Sequence, residues 1–147
     1  YAKLDQDVAQ IAALGVQINY NSCIGRDLSF DDLYKRFDAV FVSVGMFEPY
    51  RIGIPGDDNA KVISGLKLLS DVTNGVPVDL GQRVVVVGGG NVAMDAARTA
   101  KRLGCEVTVL YRRREVDMPA DVEEIEEARE EGVEFIFQAI PLELKKA

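Results

Sequence analysis

The 147-residue chain contains no histidine and no tryptophan. Without histidine it lacks both the commonest general base and the commonest metal ligand, so any chemistry must come largely from a cofactor. Cysteine is scarce as well. Cys23 and Cys105 form no C-x-x-C pair, which excludes a redox dithiol and a cysteine-held metal or iron–sulfur site within these residues. Both read as small buried hydrophobes, and no metal site is expected. No apolar run approaches the roughly 18 residues of a membrane span, and no signal-peptide pattern precedes the first helix. These features predict a cytoplasmic protein with no membrane partner. Positive charge is in deficit: 17 Lys and Arg against 24 Asp and Glu leave a net charge of −7. A chain of that sign repels a phosphate backbone, so nucleic acid is not expected as a partner despite the local run Arg112-Arg113-Arg114. The P-loop pattern G-x-x-x-x-G-K-[ST] does not occur, which sets aside a nucleotide triphosphatase. A Tyr-x-x-x-Lys pair is missing too: the residues four after Tyr20, Tyr34, Tyr50 and Tyr111 are Ile24, Asp38, Ile54 and Glu115. That argues against a complete small dehydrogenase.

What the chain does have is concentrated at residues 83 to 98. Val84 to Val87 are four consecutive β-branched residues, the pattern of a strand buried on both faces. Gly88, Gly89 and Gly90 end it, and the Ala-rich segment from Asn91 should be helical. Gly88, Gly90 and Ala93 fit G-x-G-x-x-G/A. In that pattern the first small residue permits the turn, the second lets backbone approach a pyrophosphate, and the third lets helix pack on strand. Free amides and the positive end of the helix dipole would then face the phosphates.

Around this centre the chain reads as alternating helices and strands. Leu4, Val8, Ile11, Ala12 and Leu14 recur at helical spacing before Gly15, and residues 16 to 20 alternate as a strand. Ser29 with Asp32 signals the start of a short helix carrying Phe30, Leu33 and Tyr34. Residues 39 to 44 read as a strand stopped by Gly45. Pro49, Gly53, Pro55 and Gly56 mark an irregular connection over residues 46 to 63. Ser64 caps a helix with Leu66, Leu68 and Leu69, ended by Asn74-Gly75. After the glycine bend come a helix to about Leu103, a strand at 106 to 111, a helix at 120 to 131 with Val122, Ile125 and Ala128 inward, and a strand at 133 to 137. Six glutamates between 123 and 131 form a solvated outer face. Asp95 should favour the helix dipole, and Met94 and Met118 should pack. Leu14-Gly15-Val16 and Glu131-Gly132-Val133 each join helix to strand, a weak internal repeat. It suggests a chain that starts partway through one nucleotide-binding domain and ends partway through another, unless Gly-Val is only a common junction.

The expected fold is therefore α/β, a Rossmann-like three-layer dinucleotide-binding fold with a largely parallel sheet, made of parts of two duplicated domains. In NAD-binding versions an acid ends the second strand and holds the ribose 2′-hydroxyl. Here that place carries Tyr111-Arg112-Arg113-Arg114. A guanidinium matches phosphate oxygens bidentately, so the run suits the 2′-phosphate of NADP(H), the alternative being a solvated basic turn.

The block Val-Val-Gly-Gly-Gly-Asn-Val-Ala-Met-Asp-Ala-Ala-Arg at 86 to 98, with Tyr-Arg-Arg at 111 to 113, Met118-Pro119-Ala120 and Glu-Glu-Gly-Val-Glu-Phe at 130 to 135, resembles the small (beta) chain family of NADPH-dependent glutamate synthase. Leu14-Gly15-Val16, Phe37 to Phe41 and Gly53 to Asp57 resemble it too. The resemblance implies an FAD domain interrupted by an NADPH domain: residues 1 to 50 a partial FAD-binding segment, 51 to 82 a connection with one short helix, and 83 to 147 the first part of the NADPH domain. It implies Gly88, Gly89, Gly90, Asn91, Val92 and Ala93 at the pyrophosphate, Arg112 and Arg113 at the 2′-phosphate, and Arg114 as a third candidate. Gly45 falls near the flavin, where Val44 departs from the family's Ala-Thr-Gly by losing a hydroxyl. FAD should be held poorly by these residues alone. The intact relative would pass hydride from NADPH to FAD and electrons onward to iron–sulfur centres, beside a large amidotransferase or synthase-type subunit. No catalytic side chain is assigned, because the cofactors carry the chemistry. The competing reading is a non-catalytic nucleotide-sensing module of the same fold.

Overall fold

In the computed structural model, which describes residues 2–45 and 51–145, the valine run forms β1 (Arg83–Val87). It pairs in parallel with β2 (Glu106–Tyr111), Val87 opposite Leu110, and β2 pairs in parallel with β3 (Glu134–Phe137), Tyr111 opposite Phe137. The sheet order is β1-β2-β3. Two helices make the crossovers, α4 (Asn91–Arg102) and α5 (Val122–Glu130). Alanines at 96, 97 and 100 are buried on α4, and their small side chains let the helix lie close to the strands. Met94 and Val109 are fully enclosed at the centre of a core that also takes in Val107, Ile125, Ala128 and Val133. α3 (Gly65–Thr73) packs on α4, where a Cβ on Gly65 would stand 3.3 Å from Val92 Cγ1. Among the described residues the sheet therefore has helices on one face. The other face leaves Val85 59%, Val87 41% and Ile136 50% exposed, so β1 is not buried on both faces as its four consecutive valines predict: among the described residues nothing packs over that side.

The acidic face of α5 is not simply solvated, as its pattern suggested. Arg98 of α4 reaches Glu124 at 3.1 Å, Glu127 at 2.5 Å and Glu131 at 2.8 Å, and Arg102 adds 2.5 Å to Glu131. Three of the six glutamates thus clasp α5 to α4. The Arg102 hydrogen bond, reinforced by Arg98 against desolvation, holds the Glu131 carboxyl below the usual carboxylate range. A carboxyl depressed in this way adds stability that is complete above its unfolded value of about 4.3 and disappears as pH falls through the lower folded value. Because the pair is partly solvated, Glu131→Gln should cost about 1 kcal/mol at neutral pH, and the difference from the parent should close below about pH 4. Urea denaturation across a pH series measures it, and a pH-independent difference would remove the electrostatic explanation.

Several expectations from pattern change. The chain divides into two compact units, residues 1–45 and 46–147. In the first, α1 (Ala2–Ala13) forms as its periodicity predicts, but Leu4 and Ile11 stay exposed, as does Leu14 just beyond the helix. Residues 16–20 and 39–44 are not strands. An alternating sequence needs a neighbouring strand to hold it extended, and among the described residues of this unit none pairs with either segment. Among the described residues of this unit an isolated bridge, Ile24 with Leu28, takes their place. α2 (Phe30–Arg36) starts where Ser29 predicts. Cys23 is exposed rather than buried, whereas Cys105 is buried, and both are free thiols. In the second unit Val122 opens α5 and is exposed, not inward, and Asp95 lies one turn past the start of α4. Residues 46–50 of the expected irregular connection, with Pro49, lie outside the described residues.

Candidate functional site

Each glycine of the bend does different work. Gly88 stays in the ladder, its N–H donating to the Leu110 carbonyl at 3.1 Å. Its φ of 147° would strain a residue with a side chain, and an added Cβ would come within 3.3 Å of Ala93 Cβ. Helix and strand therefore meet at Gly88 and Ala93, as the spacing implied. Gly89 is buried, and a Cβ there would lie 2.6 Å from two atoms of the Tyr111 ring. Gly90 is in extended backbone (φ −96°, ψ 174°) and is the N-cap of α4, its carbonyl accepting from Ala93 N at 2.8 Å and Met94 N at 3.2 Å.

This helix start carries no side-chain cap. By contrast Ser29 accepts from Asp32 N at 3.1 Å, and Ser64 accepts from Lys67 N at 3.0 Å. The first amides of α4, on Asn91 and Val92, have no intrahelical acceptor, and the positive end of the helix dipole coincides with them. The Val92 side chain lies beside Gly65 of α3.

Because β1 and β2 run parallel and in register, the glycine bend and the arginine run leave from the same carboxyl edge of the sheet. That edge is where open α/β sheets take their ligands. Tyr111 is buried, and its hydroxyl donates to the Asp117 carbonyl at 2.6 Å, drawing the following turn back over the strand end. Arg112 and Arg113 are exposed, and neither forms an ion pair among the described residues. Arg114 is engaged elsewhere, donating to the Asp117 carboxylate at 3.0 and 3.1 Å. That hydrogen bond holds the Asp117 carboxyl below its ordinary range and raises the Arg114 guanidinium. The guanidinium offered by the sequence as a third phosphate donor thus braces the 3₁₀ turn at Glu115–Asp117.

Four residues that pattern reading passed over complete the site's frame: Tyr111, Asp117, Pro119 and Asp121. Ala120 N donates to Gly89 O at 3.1 Å, and Pro119 Cγ lies 3.9 Å from where a Gly90 Cβ would stand. Met118-Pro119-Ala120 therefore folds across the bend, and the only hint in the sequence was its place in the family block. Gly45, with φ 71°, belongs to the first unit. Two surface depressions lie among the described residues of this unit. One is lined by Asp121, Val122, Glu123, Glu124 and Glu127, whose four carboxylates disfavour a phosphate. The other is lined by Glu115, Arg129, Val133, Phe135 and Phe137. Among the described residues no group of His, Cys, Asp and Glu is placed to hold a metal, and no helix is long and apolar enough to cross a membrane.

The chain is similar along most of its length to proteins named as oxidoreductase subunits. It is 43% identical over 142 residues to the NADPH-Fe(3+) oxidoreductase subunit beta of Geobacter sulfurreducens, covering 94% of this chain and 21% of that one. It is 40% identical over 141 residues to the glutamate synthase (NADPH) small chain of Escherichia coli (strain K12), covering 88% of this chain and 30% of that one. The chain thus spans less than a third of the length of these curated relatives. Among solved structures, a 2-naphthoyl-CoA reductase in complex with 2-naphthoyl-CoA matches with a TM-score of 0.53 at 25% identity, over 67% of this chain and 15% of that one. A family model described as pyridine nucleotide-disulphide oxidoreductase matches residues 4–147. With the parallel sheet and glycine bend in place, the chain belongs to the pyridine nucleotide-disulphide oxidoreductase family.

Proposed function

We propose that the second unit binds NADPH as part of a flavin-dependent oxidoreductase of the glutamate synthase small-chain type. The observation that carries this is the pairing, at one sheet edge, of an uncapped helix start with two exposed arginines that form no ion pair among the described residues. The amides around Gly88, Gly89, Gly90, Asn91, Val92 and Ala93 receive the diphosphate, and Arg112 and Arg113 grip the 2′-phosphate. The residues present fit such a group: Gly90 brings no side chain to the amides, and the cations stand where an NAD site would have an acid. When bound, NADPH supplies a hydride and FAD accepts it. The chain's own part is to hold the dinucleotide at both phosphates and so aim its nicotinamide end.

For FAD the described residues offer Gly45, at a φ that suits glycine. On this reading residues 1–50 contribute to the flavin domain, 51–82 connect, and 83–147 begin the NADPH domain. Electrons then continue to iron–sulfur centres in the intact protein. The similar proteins are named as beta or small subunits, which supports a larger synthase-type partner. On the same reading the protein resides in the cytoplasm, the compartment in which cysteines stay as free thiols such as Cys105. A purely sensing module is the weaker reading, because the similar proteins are named as subunits of an NADPH oxidoreductase and of an NADPH glutamate synthase.

Side-by-side titration of the chain with NADPH and NADH tests the proposal. NADPH should bind about 100-fold more tightly, two charge-assisted contacts each being worth roughly tenfold. Equal affinities would reject the 2′-phosphate assignment.

A further inference from the structure

Asn91 and Asp121 lie 30 positions apart and hold each other by two hydrogen bonds. Asn91 Nδ2 donates to Asp121 Oδ2 at 3.0 Å, and the Asp121 backbone N–H donates to Asn91 Oδ1 at 2.9 Å. Each residue forgoes its ordinary local task to do so. Asp121 is the N-cap of α5, where an aspartate normally accepts from its own helix's first amides, yet it makes no side-chain cap bond. Asn91 heads the helix whose amides face the diphosphate, yet its side chain turns to another loop.

We propose that Asn91 and Asp121 are positioning residues that fix the distance between the diphosphate amides and the arginines, and so set the preference for NADPH over NADH. The inference rests on the reading of those two groups as one dinucleotide site. The segment from Arg112 to Asp121 leaves the sheet at Tyr111 and returns to the bend, where Ala120 N meets Gly89 O and Asp121 meets Asn91. The paired side chains close that return. A ligand with phosphates at both places gains from both contacts only if their separation is held. A ligand lacking the 2′-phosphate is indifferent to it. Loosening the latch therefore falls on NADPH and spares NADH, which separates positioning from a general loss of stability.

The latch has a chemical signature of its own. Asp121→Asn keeps both bonds, since an amide oxygen still accepts from Asn91 Nδ2. Asn91→Asp alone sets two carboxylates against each other and loses the donor. The exchanged pair, Asn91→Asp with Asp121→Asn, restores the side-chain bond with donor and acceptor reversed and keeps the bond from the backbone N–H of residue 121.

The test is NADPH and NADH titration of the chain carrying Asn91→Ala, Asp121→Asn, Asn91→Asp and the exchanged pair, with thermal melting of each. Asn91→Ala, which loses both bonds, and Asn91→Asp, which loses one and sets two carboxylates against each other, should each lower the NADPH to NADH affinity ratio about 5- to 10-fold. Asp121→Asn and the exchanged pair should keep the parent ratio. Equal weakening of both nucleotides by Asn91→Ala, or an exchanged pair that stays as poor as Asn91→Asp, would overturn the positioning role while leaving the site intact. An unsubstituted chain with no NADPH preference would overturn the site reading, and this inference with it.

Discussion

Replacing Arg112 and Arg113 together by alanine should lower NADPH affinity about 100-fold and leave NADH within about twofold of the parent, since each charge-assisted phosphate contact is worth roughly tenfold. Neither arginine is in an ion pair among the described residues, so the substitution breaks no internal contact of that kind. Its expected effect is therefore confined to ligand binding. Arg114→Ala supplies the contrast. Its guanidinium is held by Asp117, so its removal loosens the turn and should reduce NADPH affinity far less than the double change. Raising the salt concentration should narrow the NADPH advantage of the parent and leave the double variant nearly unaffected, because exposed charge pairs are screened. A double variant that still prefers NADPH would return the arginine run to an ordinary basic turn.

The second large effect concerns stability. Gly89→Ala should cost about 2–4 kcal/mol, in the range of overpacking a closed site. The added methyl would meet the Tyr111 ring at 2.6 Å. That ring cannot swing aside cheaply, because Tyr111 is 7% exposed and its hydroxyl is tied to the Asp117 carbonyl. Urea melts of Gly89→Ala in the parent and in a Tyr111→Leu background form the decisive cycle. The leucine keeps the space apolar and removes the ring, so the glycine change should there cost less than about 1 kcal/mol. An equal cost in both backgrounds would mean that the bend resists a side chain for reasons other than the tyrosine.

These two cases show what could and could not be read from residues in order. The valine run, the glycine bend and the caps at Ser29 and Ser64 were legible, because short-range sterics and local hydrogen bonds decide them. The placing of Arg112 at the end of β2 followed from the length of one βαβ unit. What escaped was contact between distant positions. Nothing near Gly89 announces that its missing side chain makes room for Tyr111, and nothing near Asn91 announces Asp121. The glutamates of α5 read as solvated until Arg98 and Arg102 were seen to reach them. In the first unit the reverse happened. Alternation at 16–20 and 39–44 is a genuine strand pattern, but pairing is a property of two segments, and among the described residues no second segment answers.

The register of β1 carries one more implication. Gly88 donates toward β2, so by alternation the N–H groups of Val85 and Val87 point to the opposite side, where no strand is paired among the described residues. Val85 and Val87 are solvent-exposed as well. On the proposal that residues 83–147 begin the NADPH domain, this open side of β1 is where the doubly wound order 3-2-1-4 adds its next strand, so the sheet grows outward from β1 rather than ending on it.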